Sequence, residues 1–143
     1  MGTIRVLLAE DFEPQRCFTA TLLSKTPDLE VVSEAGDGLQ AVAQAQQFRP
    51  DIILMDIGLP GLNGLEAARQ IGALVSSAKI VFLTQETDVD VMREAFNLGG
   101  WGYVLKQDAE TDLLAGVAAV LAGKQFLSSG LGDNGFASRK HDD

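Results

Sequence analysis

The sequence has few of the residues that form disulfides and histidine metal sites. Its 143 residues include one cysteine, Cys17, and one histidine, His141. A lone cysteine cannot close an internal disulfide, and this pair cannot supply a Cys/His zinc site. Any metal that the protein binds must therefore be held by oxygen ligands.

Basic residues and long apolar runs are also scarce. The chain has 11 Lys and Arg against 20 Asp and Glu, a net charge of −9. Phosphate backbones favour clustered Lys and Arg, so direct nucleic-acid binding is not expected. No run approaches the roughly 18 apolar residues that would span a bilayer, and the N-terminus, MGTIRVLLAED, lacks a secretory signal. We expect a cytoplasmic protein without a membrane partner.

The chain does contain a regular alternation of short apolar runs and helical patterns. The predicted strands are IRVLLA, LEVVSEA, DIILM, KIVFLT and YVL, at residues 4–9, 29–35, 51–55, 79–84 and 103–105. The first predicted helix begins at Glu13-Pro14. The other four cover residues 37–48, 63–75, 87–98 and 109–122. This alternation predicts a flavodoxin-like α/β fold, with one five-stranded parallel sheet in the order 2-1-3-4-5 and helices on both faces.

The same patterns predict domain limits and helix orientation. Residues 1–125 form one domain, and residues 126–143 lose all periodicity, which is typical of a flexible tail or a truncated linker. Asp108 is the predicted N-cap of the last helix. Helical spacing predicts these inward-facing residues: Phe18, Leu22, Leu23, Leu39, Val42, Ala43, Leu65, Ala68, Ile71 and Leu74.

Polar residues follow four of the five predicted strands. They are Glu10 and Asp11, Asp56, Thr84, and Lys106. Ligands of open α/β sheets bind beyond the carboxyl ends of the strands. Each residue alone is equally typical of a helix cap, a turn or a surface charge, but their joint placement at one rim favours a functional site.

The predicted chemistry of this rim is phosphoryl transfer. Three clustered carboxylates repel each other unless a hard cation lies among them, and Mg²⁺ is the cation that prefers such oxygen ligands. Asp56, beside Gly58 and Gly61, can act as a carboxylate nucleophile and form an aspartyl phosphate. Mg²⁺ and Lys106 would stabilise charge on the transferred oxygens.

These residues resemble the receiver domains of two-component response regulators, from Ile4 to about Leu127. The similar segments are LLAED, LMDIGLPGLNGLEA with its Pro60 and Gly64, KIVFLT and GYVLK. The stretch GWGYVLKQDAETDLLAGVAAVLAGKQFLS is most similar to receivers that precede a helix-turn-helix module, the LuxR/FixJ-like subgroup.

The resemblance implies roles for individual residues. Asp56 is phosphorylated by a sensor histidine kinase, and Thr84 and Lys106 contact the phosphoryl oxygens. Tyr103 stands where the family has a rotating aromatic residue, and Gln85 replaces a small residue and tunes the kinetics. The implied Mg²⁺ ligands are Asp11, Asp56 and the backbone carbonyl of Gly58, with Glu10 acting through water. The domain is then a switch that assists its own phosphorylation and dephosphorylation, and not otherwise an enzyme.

The resemblance also suggests how the signal leaves the site. Movement of Thr84 would let Tyr103 turn inward and change the face made by residues 87–122. That face would act on an output module or protein, with control of transcription as the expected output. The chain is either a receiver separated from its output module or a stand-alone single-domain regulator, and phosphorylation-dependent homodimers are possible in both cases.

Three other classes compete with this interpretation. A Mg²⁺-dependent phosphatase of the haloacid-dehalogenase type needs a second Asp two residues after the nucleophile, where this chain has Gly58. A flavin carrier needs a Ser/Thr/Gly phosphate cradle, but the first loop, AEDFEPQR, is acidic. An unphosphorylated interaction module would not need the intact set of acids, Thr84 and Lys106.

Overall fold

The computed structural model describes residues 3–131. The strands are β1 (Ile4–Ala9), β2 (Leu29–Ala35), β3 (Ile52–Met55), β4 (Lys79–Thr84), β5 (Gly102–Leu105) and β6 (Phe126–Leu127). The helices are α1 (Glu13–Leu23), α2 (Gly38–Phe48), α3 (Gly64–Leu74), α4 (Val89–Asn97) and α5 (Ala109–Leu121), and 3-10 turns cover Lys106–Asp108 and Ser129–Leu131.

The strands form one parallel sheet in the order β2-β1-β3-β4-β5-β6. The predicted order of the first five strands and the edge position of β2 are confirmed, but the predicted count of five is wrong. Because β6 has only two residues, it carries no periodicity that would separate it from a loop. Residues 126–131 of the expected tail are therefore ordered against the sheet, and residues 132–143 lie outside the described residues.

Alternate residues of the central strands enter two separate cores, one on each face of the sheet. In β1, Leu7 and Ala9 face the core beneath α2, α3 and α4, whereas Val6 and Leu8 face the core beneath α1 and α5. The inner strands are nearly continuous apolar runs because both of their faces are covered. The sequence pattern therefore correctly predicted that both faces of the sheet are covered.

Several predicted helix faces are wrong. Phe18, Leu39 and Leu74 are 40%, 65% and 48% exposed, and Ala43 is exposed as well. The α2 helix instead packs through small residues, including the fully buried Ala41 and Ala45. Small side chains let a helix lie close to its neighbours, so the packed face is not the one with the largest apolar residues. The remaining predicted residues are buried or half-buried: Leu22, Leu23, Val42, Leu65, Ala68 and Ile71.

Side chains cap three of the helices. Asp37, Asn63 and Asp88 each accept a hydrogen bond from a backbone N–H in the first turn of α2, α3 and α4. Asp108 occupies the N-cap position of α5 but makes no side-chain cap hydrogen bond. Its carboxylate accepts from the Ser128 hydroxyl at 2.7 Å instead, so the predicted N-cap position of Asp108 is confirmed, but its side chain does not cap the helix.

The helices of the described part of the chain are short or carry polar faces. None of those within residues 3–131 is both long enough and apolar enough to cross a membrane.

Two glycines of α3 are expected to respond in opposite directions to alanine. A Cβ at Gly64 would lie 2.2 Å from the Asp56 carbonyl oxygen, whereas a Cβ at Gly72 meets no atom within 4 Å. We expect Gly64→Ala to lower the free energy of unfolding by about 3 kcal/mol. Gly72→Ala should raise it by about 1 kcal/mol, because alanine favours helix more than glycine does. Urea unfolding measures both changes, and equal effects would contradict the close approach of α3 to Asp56.

Candidate functional site

The carboxyl ends of four parallel strands bring the predicted site residues together. Glu10 follows β1, Asp56 follows β3, Thr84 ends β4 and Lys106 follows β5. Their side chains line one pocket of about 420 Å³. The pocket is also lined by Asp11, Phe12, Gln15, Ile57, Gly58, Gln85 and Glu86. Every predicted site residue except Tyr103 therefore faces this pocket.

Three carboxylates lie close enough to share one cation. Glu10, Asp11 and Asp56 each offer an oxygen, and these atoms lie within 4.8 Å of one another. Glu10 and Asp56 are 2% and 8% exposed, whereas Asp11 is exposed. An all-oxygen donor set with an open side suits Mg²⁺, which retains several water ligands. Gly58 lies at the same pocket, and its amide donates to Asp56 Oδ1 at 3.3 Å.

Lys106 is the cation that these residues contact directly. Its Nζ lies 2.8 Å from Glu10 Oε1 and 3.2 Å from Asp56 Oδ2. Burial lowers the pKa of Lys106, but the hydrogen bonds and negative charges of Glu10 and Asp56 together raise it above its usual value. Lys106 therefore carries its positive charge at neutral pH and relieves the repulsion between the two acids.

Glu10 is positioned by neighbours that the sequence analysis did not single out. The Phe12 amide donates to Glu10 Oε2 at 3.0 Å, and the Arg16 guanidinium donates to the Glu10 carbonyl oxygen at 2.7 Å. Arg16 also pairs with Glu34 at 3.0 Å. Phe12 follows the acid pair directly, so adjacency was a signal for it. Arg16 had no such signal, because its contacts depend on how α1 lies against β2.

Burial changes the proton affinity of Glu10. It raises the pKa of the Glu10 carboxyl above its ordinary value of 4.5, although the Lys106 and Phe12 hydrogen bonds oppose that effect. A proton that the carboxyl holds more tightly competes more effectively with a metal ion for the carboxylate oxygens. Cation binding at this site should therefore weaken as the pH falls toward the raised pKa of Glu10.

Thr84 and Tyr103 meet at the backbone of Glu86, another residue that the sequence analysis did not single out. The Glu86 amide donates to Thr84 Oγ1 at 3.2 Å, and the Tyr103 hydroxyl donates to the Glu86 carbonyl oxygen at 2.9 Å. The Tyr103 ring is fully buried, with its centroid 6.3 Å from that of Phe82 and 6.4 Å from that of Phe96. The ring is thus already inside in this structure, and the predicted movement of Tyr103 on phosphorylation stays a prediction.

The remaining predicted residue, Gln85, is exposed at the pocket rim directly after Thr84. Its long amide is thus placed at the mouth of the pocket and not among the buried acids. The predicted output face, residues 87–122, differs from the expectation in one respect. The strand β6 pairs with β5 and covers the sheet edge that the five-stranded prediction left exposed.

A flavodoxin-like sheet with an acidic, lysine-containing pocket at its carboxyl edge defines an α/β signalling domain of the two-component class. The chain belongs to the response regulator receiver domain family, because the sequence model of that family matches residues 6–118. The resemblance seen in the sequence is thereby confirmed. The protein is a phosphorylation-activated signalling switch.

Curated relatives and solved structures place the chain in the LuxR/NarL type of receiver. It is 37% identical over 126 residues to the transcriptional regulatory protein LiaR of Bacillus subtilis (strain 168), covering 88% of this chain and 60% of LiaR. The nitrate/nitrite response regulator protein NarL of Escherichia coli (strain K12) is 34% identical, with 88% of this chain and 58% of NarL covered. The chain therefore spans about 60% of the length of these relatives.

A solved structure gives the same result. The crystal structure of a LuxR-family two-component response regulator from Aurantimonas sp. SI85-9A1 is 32% identical, with a TM-score of 0.88. The match covers 92% of this chain and 94% of that one. The architecture around the pocket is thus that of a receiver.

Proposed function

We propose that Asp56 accepts a phosphoryl group from a sensor histidine kinase in a Mg²⁺-dependent reaction. The observation that carries the proposal is the contact of Lys106 Nζ with both Glu10 and Asp56, in a pocket where three carboxylates converge. Such a site can bind a divalent cation and a phosphoryl group together, because each of them brings charge that the other offsets.

The phosphoryl transfer needs only Asp56 and the phosphorylated histidine of the kinase as reacting groups. An Asp56 oxygen attacks phosphorus, the bond from phosphorus to the kinase's histidine nitrogen breaks, and the imidazole leaves with the bonding electron pair. Bound Mg²⁺ would supply positive charge to the transferring oxygens. Its ligands would be Asp11, Asp56 and the Gly58 carbonyl, with Glu10 acting through water.

Lys106 and Thr84 would hold the phosphoryl oxygens. Charge-assisted hydrogen bonds contribute roughly 1.5–3 kcal/mol each, so two of them supply about 3–6 kcal/mol. Shifting a two-state equilibrium from 1:99 to 99:1 needs about 5.5 kcal/mol. The two contacts are therefore large enough together to change the conformation of the domain.

Glu86 offers a route from Thr84 to Tyr103. If Thr84 Oγ1 turns toward the phosphoryl group, it gives up the hydrogen bond from the Glu86 amide, and the Glu86 carbonyl oxygen that Tyr103 contacts moves as well. Tyr103 would then change the surface made by α4, β5 and α5. Gln85, at the rim between Thr84 and Glu86, would tune how fast water reaches the aspartyl phosphate and so the autodephosphorylation rate.

The proposed output is control of transcription through a module absent from this chain. LiaR carries a name that describes transcriptional regulation and is longer than this chain, which supports that output. The alternative is a stand-alone regulator that acts by protein contact. The proposal further includes a cytoplasmic location, shared with the kinase domain that supplies the phosphoryl group, and phosphorylation-dependent homodimers.

The test is phosphorylation by a small-molecule donor. Incubation with acetyl phosphate and Mg²⁺ should add the mass of one phosphoryl group to the intact protein, and EDTA should abolish the addition. Intact mass is a better readout than Trp101 fluorescence, because Trp101 precedes β5 and lies at the end of that strand opposite to Lys106. An equal yield in EDTA would refute the metal-dependent mechanism, and rapid turnover of a phosphomonoester would favour the phosphatase alternative.

A further inference from the structure

The six residues Phe126–Leu131, here named the C-terminal strap, are fastened to the edge of β5. Leu127 pairs with Tyr103 in the sheet, and the Ser128 amide donates to the Tyr103 carbonyl oxygen at 2.8 Å. Leu131 is buried in the same core as the Tyr103 ring. The strap therefore contacts the proposed switch residue through its backbone and shares a core with it.

A buried hydroxyl links the strap to the start of α5. Ser128 is fully buried, and its Oγ lies 2.7 Å from Asp108 Oδ2 and 3.1 Å from Asp112 Oδ2. A serine hydroxyl has one proton, so it donates to only one of these carboxylates at a time. Asp112 also accepts from the Ser129 amide and hydroxyl, each at 3.0 Å, which lowers the pKa of Asp112 although burial opposes the shift. Asp108 thus depends on Ser128 more than Asp112 does.

Two glycines make room for the strap. A Cβ at Gly116 in α5 would lie 2.8 Å from the Phe126 ring, and a Cβ at Gly130 would lie 3.2 Å from Asp108 Oδ2. Larger residues at either position would push the strap away from α5. Because these contacts are close, a small displacement of Asp108 would also displace the strap.

The phosphorylation pocket and the strap share one rigid connection. Lys106 and Asp108 are the first and last residues of a single 3-10 turn. The Lys106 end contacts Glu10 and Asp56, whereas the Asp108 end accepts from Ser128. Only Gln107 separates Lys106 from Asp108, so a backbone displacement at Lys106 would also move Asp108.

We propose that the strap is a second output element, released from β5 when Lys106 changes partners. A phosphoryl group on Asp56 would draw Lys106 to new oxygens, move the 3-10 turn and separate Asp108 from Ser128. The Ser128 hydroxyl and the Ser128 and Ser129 amides are hydrogen-bonded in the present geometry, so such a shift would loosen the attachment of the strap. This inference rests on the proposed phosphorylation of Asp56, and it adds a path from the pocket to the chain that follows α5.

Linkage makes the proposal quantitative. If a phosphoryl mimic weakens strap docking by some factor, then weakening the strap must strengthen binding of the mimic by the same factor. A hydrogen bond from a serine hydroxyl to a charged carboxylate corresponds to a factor of roughly ten to a hundred. The effect is therefore within reach of both exchange and binding measurements.

The first measurement is amide hydrogen exchange by NMR on the full chain, with and without Mg²⁺ and beryllofluoride. We expect the Ser128 amide to exchange at least about fivefold faster with the mimic bound. The Ile52–Met55 amides of β3 serve as the internal control and should not accelerate. Binding itself is read from the shift of the Gly58 amide, which contacts Asp56.

The second measurement compares two serine variants at opposite edges of the sheet. Ser128→Ala removes the shared hydroxyl, whereas Ser33→Ala removes a half-buried hydroxyl on β2 that contacts Gln44, away from α5. We expect Ser128→Ala to bind beryllofluoride at least about tenfold more tightly than wild type. Ser33→Ala should bind with wild-type affinity.

The outcomes separate this inference from the function on which it rests. Failure of the mimic to shift the Gly58 amide would refute phosphorylation at this pocket and the strap proposal with it. A shifted Gly58 with unchanged Ser128 exchange would overturn the strap proposal alone, as would equal affinities of the two serine variants. The wild-type exchange experiment decides the question even if Ser128→Ala does not fold.

Discussion

The Asp56→Ala protein is expected to gain no phosphoryl group from acetyl phosphate, a fall in phosphorylation rate of at least about 10³-fold. Alanine has no oxygen to attack phosphorus, and the other pocket acids cannot replace it. Glu10 is turned toward Lys106 and the Phe12 amide, and Asp11 is exposed. Intact mass after incubation with Mg²⁺ and acetyl phosphate measures the loss.

Asp51→Ala is the matched control, since Asp51 directly precedes β3 and lies at the end opposite to Asp56. It should be modified like wild type. The Asp56→Ala fold should also be intact, because removing one of several crowded like charges raises the free energy of unfolding by up to about 1 kcal/mol. Persistent modification of Asp56→Ala would move the phosphoacceptor to another residue.

The Lys106→Met protein is expected to be phosphorylated about 10²–10³-fold more slowly than wild type, because the transferring oxygens lose a preorganised positive charge. The same variant should bind Mg²⁺ about fivefold more tightly. Among the described residues that line the pocket, Lys106 is the one cation, and its removal takes away a competitor of the metal. Stopped-flow phosphorylation and Mg²⁺ titration by NMR measure these opposite changes.

Stability of the Lys106→Met protein should depend on pH. Loss of the ammonium leaves Glu10 and Asp56 without their counter-ion, at a cost of about 1–3 kcal/mol at neutral pH. The pKa of Glu10, already above 4.5, rises further. A raised carboxyl pKa destabilises the fold as pH rises through it, so the difference from wild type should shrink when the pH falls toward 4.5.

Lys124→Met, in the exposed segment after α5, is the matched control and should leave phosphorylation, Mg²⁺ affinity and stability unchanged. If Lys106→Met bound Mg²⁺ more weakly, Lys106 would not be a competing counter-ion, and its contacts with Glu10 and Asp56 would have another role. If both lysine variants slowed phosphorylation equally, the effect would be one of net charge and not of pocket geometry.

The residues of the pocket could be predicted because a simple rule connects them to the chain. Each of Glu10, Asp56, Thr84 and Lys106 ends or follows an apolar run, and parallel strands present their carboxyl ends at one edge. The same runs, hydrophobic on both faces, predicted a sheet covered by helices on both sides. Local pattern and topology together were sufficient here.

Contacts between distant segments could not be predicted in the same way. Hydrophobicity placed Phe18, Leu39 and Leu74 inside, but packing through Ala41 and Ala45 shows that small residues decide which helix face lies against the sheet. The burial of these side chains depends on the distance between neighbouring elements. No spacing within one helix encodes that distance.

The sequence by itself determined the order of the elements, the all-oxygen donor set and the rim at which Asp56 lies. Only the tertiary structure decided that Lys106 bridges Glu10 and Asp56, that Tyr103 is already inside, and that β6 closes the edge of β5. Periodicity reports which side of an element is apolar, a local property. Ion pairs, shared hydroxyls and a two-residue strand depend on atoms brought together from separate parts of the chain.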